Sequence, residues 1–190
     1  MSFTFRLGSG MILSVYLTNL EIQMNIFYLD RDPKLAAQYH CDKHVVKMLI
    51  EYAQIMSTAH RVLDDIPNDT GEFYRLSHKN HPSCIWVRES VENYKWLYRM
   101  WIHLHNEYVL RYKRNHASFI KLCAKLSFAP KNIPQVAATP LKLAIADTKY
   151  HNPDPVISYR NYYNGDKARF ATWKSPSVVP DWFEAKYQEE

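Results

Sequence analysis

The run Gln38-Tyr39-His40-Cys41-Asp42-Lys43-His44-Val45-Val46-Lys47-Met48-Leu49-Ile50-Glu51 decides how the chain is read. Between His40 and Glu51 it carries two imidazoles, two ammoniums, two carboxylates and a thiol, set among apolar residues at helical spacing. Working outward, Ala37, Cys41, Val45, Met48, Tyr52, Ile55, Ala59 and Val62 keep the 3.6-residue period, and Val46, Leu49, Ala53, Met56 and Leu63 widen the stripe into a core face. Asp32 stands as N-cap before Pro33, and the Asp64-Asp65-Ile66-Pro67-Asn68-Asp69-Thr70-Gly71 turn cluster closes the pattern. The spacing predicts one central helix of about thirty residues at ~1.5 Å rise each. On it Cys41, Val45 and Met48 face the core. His40, His44, Lys47, Glu51 and Thr58 share an exposed flank, with Asp42 and Lys43 on either side.

Before this helix, Asn25-Ile26-Phe27-Tyr28-Leu29 is a short apolar run, a strand or an extended lead-in. Met24 opens it like the beginning of a domain, so residues 1 to 23 are read as an upstream extension and residues 24 to 190 as one domain. A second long helix is expected from His81-Pro82-Ser83 to Tyr112, with an aromatic stripe through Trp86, Tyr94, Trp101 and Tyr108. On it Arg88 with Glu92, and Glu107 with Arg111, are i,i+4 pairs expected on the wet side. A shorter helix covers Ser118 to Leu126. The prolines from Pro130 to Pro155 forbid long helices and imply a surface loop, with one turn at Leu141 to Ala146. Asp154-Pro155 launches a last helix running to about Trp173, after which Trp182 and Phe183 are expected to dock on the body. The fold class is mostly α, a single domain of two long helices packed with a shorter third and a C-terminal helix.

A chain of 190 residues with 47% hydrophobic content can bury a substantial core. Net charge is +5, which favours polyanionic partners such as DNA. Three cysteines without a CxxC spacing argue against a disulfide scaffold and suit a reducing cytoplasm. No run is long and apolar enough for a membrane span. Dinucleotide, NTP and serine-hydrolase motifs are missing from the sequence.

The chemistry therefore concentrates in three places. His40, Asp42, His44, Lys47 and Glu51 on the first helix are candidates for proton transfer or anion binding. The loop His78-Lys79-Asn80-His81-Pro82 adds imidazoles at a helix start that favours an anion, and would form one pocket with the first cluster if folded over it. The segment Tyr159 to Phe170 interleaves aromatics with Arg160, Lys167 and Arg169, suited to phosphates and bases, or to core. A metal held by His40 and His44 with Cys41, His60, His78 or His81 is the minority reading, because the i,i+4 histidines lack the HExxH context and two lysines repel a cation. No cofactor is expected. Cys41, on the buried stripe, reads as inert.

Asn25 to Leu29, Tyr39-His40-Cys41-Asp42-Lys43-His44-Val45-Val46-Lys47-Met48, Asn80-His81-Pro82, Trp86 to Ser90, Tyr159 to Trp173 and Pro180-Asp181-Trp182-Phe183 resemble a group of small tailed-bacteriophage proteins. The chain is also similar to the endonuclease V type of pyrimidine-dimer DNA glycosylase, over Asn25 to Glu51, Asn80 to Tyr112 and Tyr159 to Lys167. That resemblance implies an N-terminal α-amine, here at Asn25, attacking the sugar carbon of a damaged nucleotide with help from a carboxylate. Taken with the three clusters above, the catalytic candidates are Asn25, His40, Asp42, His44, Lys47, Glu51 and His81, and the expected DNA contacts are Lys43, Lys79, Asn80, Arg160, Tyr162, Tyr163, Lys167 and Arg169. The family's Arg-Glu pair is replaced here by Asp42-Lys43 or by Lys47 and Glu51. If the residues before Asn25 are native, Lys43 or Lys47 becomes the amine. The expected activity is that of a glycosylase/lyase in the cytoplasm of an infected bacterium. A non-enzymatic nucleic-acid- or host-protein-binding protein is the alternative, and a metal-dependent hydrolase the third.

Overall fold

The expected thirty-residue helix is broken at Tyr39 to Cys41. In the computed structural model, which describes residues 24 to 184, α1 spans Pro33–Gln38 and α2 spans Asp42–Leu63. Asp32 caps α1 as expected, its carboxylate accepting from the Lys34 amide at 2.8 Å. The break frees backbone carbonyls in a buried place, and Arg111 claims them: its guanidinium donates to Gln38 O at 3.2 Å and His40 O at 2.9 Å. Ala36 O is taken by His40 Nδ1 at 2.7 Å.

The second long helix is also two. α3 spans Pro82–Glu89 and α4 spans Val91–Tyr112, parted at Ser90. Ser90 Oγ accepts from the Glu92 amide and donates to Val136 O, while the Val91 amide donates to Pro134 O. The proline-rich loop thus docks into the break. Arg88 consequently does not pair with Glu92; it donates to Lys79 O at 2.8 Å. The Glu107–Arg111 pair exists at 2.9 Å but is buried, not wet.

α5 covers Ala117–Leu126 and α6 covers Pro155–Tyr162, capped by Asp154. The last helix does not run on to Trp173. It opens into a π-helical turn over Tyr163–Lys167 and a 3-10 turn over Ala168–Phe170. Gly165 sits where any Cβ would collide with the Tyr150 ring, at 2.3 Å from its hydroxyl, so the wide turn and the glycine accommodate that ring. The single turn expected at Leu141 to Ala146 is instead a 3-10 turn at Thr148–Tyr150. Asn25 to Leu29 is extended and belongs to no sheet, and no strand occurs among the described residues.

α2 is central and touches α3, α4 and α5. Trp101 of α4 is fully buried and donates its indole N–H to Leu49 O at 2.8 Å, locking α4 onto α2. Truncating it to Ala is expected to cost about 3–5 kcal/mol. Trp182 docks as expected, lying 5.7 Å from Tyr39 and 6.0 Å from Tyr163, with the Arg160 guanidinium over its ring. The expected extension, residues 1 to 23, lies outside the described residues.

Candidate active site

The flank expected to be exposed is covered. His40, His44 and Glu51 are buried, and only Lys47 of that row keeps much exposure. The cover comes from two distant pieces of chain, the Met24 to Leu29 lead-in and the α6 region.

The lead-in runs along α2. Met24 meets Ser77 through its sulfur at 3.8 Å, and Ser77 O in turn accepts from Thr58 on α2. Three residues on, the Phe27 amide donates to Tyr52 OH at 3.2 Å. Asn25, between these anchors, is buried: its Oδ1 accepts from Tyr159 OH at 2.6 Å and its Nδ2 donates to Ala144 O at 3.0 Å. Beneath it, His40 spans Ala36 O and Tyr52 OH, both at 2.7 Å. A carbonyl only accepts, so Nδ1 carries the proton and Nε2 accepts from Tyr52, whose oxygen is left for the Phe27 N–H. Burial pushes His40 down to about 3, so this relay holds a neutral imidazole.

One turn further, His44 Nδ1 lies 2.5 Å from Tyr163 OH, and the ring stacks on Phe27 at 4.1 Å. Burial, then the neighbouring His40, Lys167 and Lys47, hold His44 well below its ordinary pKa. Tyr163 reaches it because the π turn widens the helix at that point.

Glu51 is the outlier. It is 3% exposed, yet neither carboxylate oxygen has a hydrogen-bond partner. Lys47 Nζ lies 2.9 Å from Oε1 as an ion pair. Burial raises the Glu51 pKa, while Lys47 and the charge of His78 pull it back. His78 belongs to the loop that α2 holds through Thr58 and Ser77, and it adopts a left-handed φ of 49°. Such a conformation is costly outside glycine and is found where surroundings impose it. The loop touches α2 at Thr58, and the histidine whose charge bears on Glu51 is His78. His81 caps α3, accepting from the Ser83 amide at 3.2 Å.

Asp42 lies apart from this group. Its carboxylate takes Arg111 at 3.0 Å, Thr172 Oγ1 at 3.0 Å and the Lys174 amide at 3.0 Å, tying α2 to α4 and the C-terminal segment. Arg160 likewise faces inward, donating to Leu29 O and Asp30 and covering Tyr39 and Trp182. Tyr162 and Tyr163 are buried, so their ring faces pack in the core. The exposed cations gather elsewhere. Lys43 and Arg169 lie 4.9 and 5.6 Å from the centre of the Phe170 ring, which itself meets His44 at 5.6 Å. Lys167 lies over Tyr162 at 4.3 Å. With Lys47 they form a cationic rim around His44, and Lys79 and Asn80 are exposed on the His78 loop. Cys41 is buried and its thiol pKa is raised by burial, as its stripe position implied. Among the described residues, no three His, Cys, Asp or Glu side chains converge as a metal-holding group.

A buried carboxylate of raised pKa, a neutral imidazole and a ring of ammoniums is an arrangement for moving protons next to an anionic polymer. A family model described as pyrimidine dimer DNA glycosylase matches residues 24–120. The chain belongs to this family. No curated protein and no solved structure matches it. For a glycosylase of this kind DNA is the substrate class, and no described helix is long and apolar enough to cross a membrane. The match begins at Met24, where the described structure also begins, and takes in the lead-in, α1 to α4, Glu51 and the His78 loop. It stops short of α6. Tyr159, Tyr163 and Lys167, which cover and charge this cluster, come from the unmatched half.

Proposed function

We propose that the chain excises pyrimidine dimers from DNA and cleaves at the resulting abasic site, with Glu51 as the reacting carboxylate and the α-amine of Asn25 as nucleophile in a chain that starts at Met24 and loses it. The family supports the substrate class. The observation that carries the site is Glu51, buried without a hydrogen bond on either oxygen beside an ammonium and a lead-in segment held along the same helix.

Glu51 takes a proton from the ammonium form of the amine. The amine lone pair forms the N–C1′ bond as the C1′–base bond breaks, and its electron pair leaves on the base, which recovers the proton. Ring opening then gives an imine, the species that borohydride reduces. An α-amine suits this work because its ordinary pKa of about 7.7 to 8.0 leaves part of it neutral. Residues before Asn25 replace that amine by an amide. His40, through Tyr52, fixes the lead-in; Lys47 and His78 set the charge around the carboxylate, while neutral His44 packs on Phe27; Lys43, Lys167, Arg169 and Lys79 hold phosphates. Asp42 and His81 act as scaffold. On this reading the setting is the cytoplasm of an infected bacterium.

Borohydride trapping tests the proposal. A chain beginning at Asn25 is expected to yield a covalent adduct with a duplex containing a thymine dimer or an abasic site, and the 190-residue chain is not. Equal trapping by both chains would move the amine to a lysine, Lys47 first. No adduct from either folded chain would overturn the glycosylase reading and favour a DNA-binding role.

A further inference from the structure

The lead-in segment has two sides, and the site uses only one. Phe27 packs on His44; Tyr28, at the middle of a tight turn closed by the Leu29 amide on Phe27 O, packs instead on Trp96. Its ring lies 4.5 Å from Trp96, and Trp86 meets the same indole edge-on at 6.1 Å. With Pro140 these rings line a cleft of about 410 Å³, with Arg31 and Arg99 also in its lining. That volume lies in the range of small-molecule sites.

The polar groups of this cleft say what it takes. Trp96 donates its indole N–H to Arg31 O at 2.8 Å, and Trp86 donates to Thr139 O at 3.0 Å. A proline-rich peptide in an aromatic groove draws on indole N–H groups for its carbonyls, and both indoles here have already given theirs away. Ring faces remain, together with cations. Arg99 is exposed and makes no hydrogen bond or ion pair among the described residues. The Arg31 side chain is 72% exposed with one partner, Asp154. The acidic residue in the wall, Glu92, is paired to Lys95 at 2.9 Å. Flat faces beside an unpaired guanidinium suit a planar ring that carries a phosphate.

We propose that this cleft is a second site, which binds an unpaired nucleotide with its base stacked on Trp96 and Tyr28 and its phosphate at Arg99 and Arg31. It goes beyond the glycosylase reading and stands independently of it. The same chemistry is offered by a free mononucleotide and by a nucleotide of a single strand.

Titration calorimetry and tryptophan quenching on the full chain test it, with deoxyadenosine monophosphate, deoxyadenosine and ribose 5-phosphate as probes. The monophosphate is expected to bind, with Arg99→Glu weakening it about tenfold or more. Deoxyadenosine is expected to be indifferent to Arg99→Glu, and ribose 5-phosphate not to bind. Trp96→Phe keeps a ring face and is expected to retain most of the affinity, while Trp96→Leu loses it; thermal unfolding of each variant checks the fold. Displacement of the monophosphate by a short oligodeoxyadenylate assigns the site to a strand, and failure to displace assigns it to the free nucleotide. No binding of the monophosphate by folded wild-type chain, or binding untouched by both Arg99→Glu and Trp96→Leu, would overturn the proposal. So would a proline-rich peptide that binds the cleft and is not displaced by the monophosphate.

Discussion

Two buried charges in this molecule are treated in opposite ways. The Arg111 side chain has 0% exposure and is surrounded by acceptors: Glu107, Asp42, Ser177 and the carbonyls of Gln38 and His40. Glu51 is almost as deep, and neither of its oxygens accepts a hydrogen bond. Folding alone accounts for the first, because a satisfied guanidinium joins α1, α2, α4 and the C-terminal segment at the place where a helix breaks. It does not account for the second. A carboxylate desolvated with one ammonium as its compensation, and no hydrogen bond on either oxygen, opposes folding, and its raised pKa is the sign of that opposition. On the proposed function, the difference separates a charge kept for architecture from one kept for chemistry.

Removing each charge should break the comparison in a characteristic way. Arg111→Met strands Asp42 and Glu107 in the interior and is expected to destabilise the chain by about 3–5 kcal/mol in urea unfolding. A loss under 1 kcal/mol, on the order of a surface pair, would mean that the helix break needs no guanidinium.

The next effect is acid sensitivity. His40 stays neutral in the fold, with its pKa near 3 against an ordinary 6.5. As pH falls below that ordinary value the unfolded chain binds protons that the fold refuses. Stability should drop by about 1.4 kcal/mol per pH unit from this group, continuing toward pH 3. His44 adds in the same direction. His40→Gln is expected to flatten the stability profile between pH 6 and 4, and an unchanged slope would argue against a buried neutral imidazole.

Glu51 works with the opposite sign and a smaller size. Its folded pKa is raised, so its unfavourable contribution appears as pH rises through that value and is absent below the ordinary one. Glu51→Gln should therefore raise stability at neutral pH by about 1 kcal/mol, read from urea midpoints. The smallest effects belong to the rim. Lys43→Ala and Lys167→Ala are each expected to leave stability alone and to reduce the salt dependence of duplex binding by about 0.9 in slope. A slope that does not change would place the DNA elsewhere.

These two charges were not equally legible in the sequence. Periodicity marked the helices, and Asp32, Asp154 and the prolines marked where α1 and α6 begin, because caps act over a few residues. The breaks at Tyr39 to Cys41 and at Ser90 were not marked. No glycine or proline makes them; they are held by Arg111 and by the Pro134 to Val136 loop, far along the chain. For the same reason Glu107 and Arg111 could be paired from their spacing but were placed in water, and the His40, His44 and Glu51 flank was placed on the surface. What buries that flank is the lead-in and α6, and helical phase alone carries no information about such distant cover. The approach of the His78 loop to α2 was readable as a condition, from its imidazoles, but which histidine's charge would bear on Glu51 was not.

The central claim is that Glu51 is buried for chemistry. Single-turnover strand cleavage of a thymine-dimer duplex by a chain beginning at Asn25, measured beside thermal unfolding for wild type and Glu51→Gln, tests it most directly. The rate is expected to fall by about 10²- to 10⁴-fold in a variant that is at least as stable. A variant that cleaves at the wild-type rate, or loses activity only by losing its fold, would contradict it.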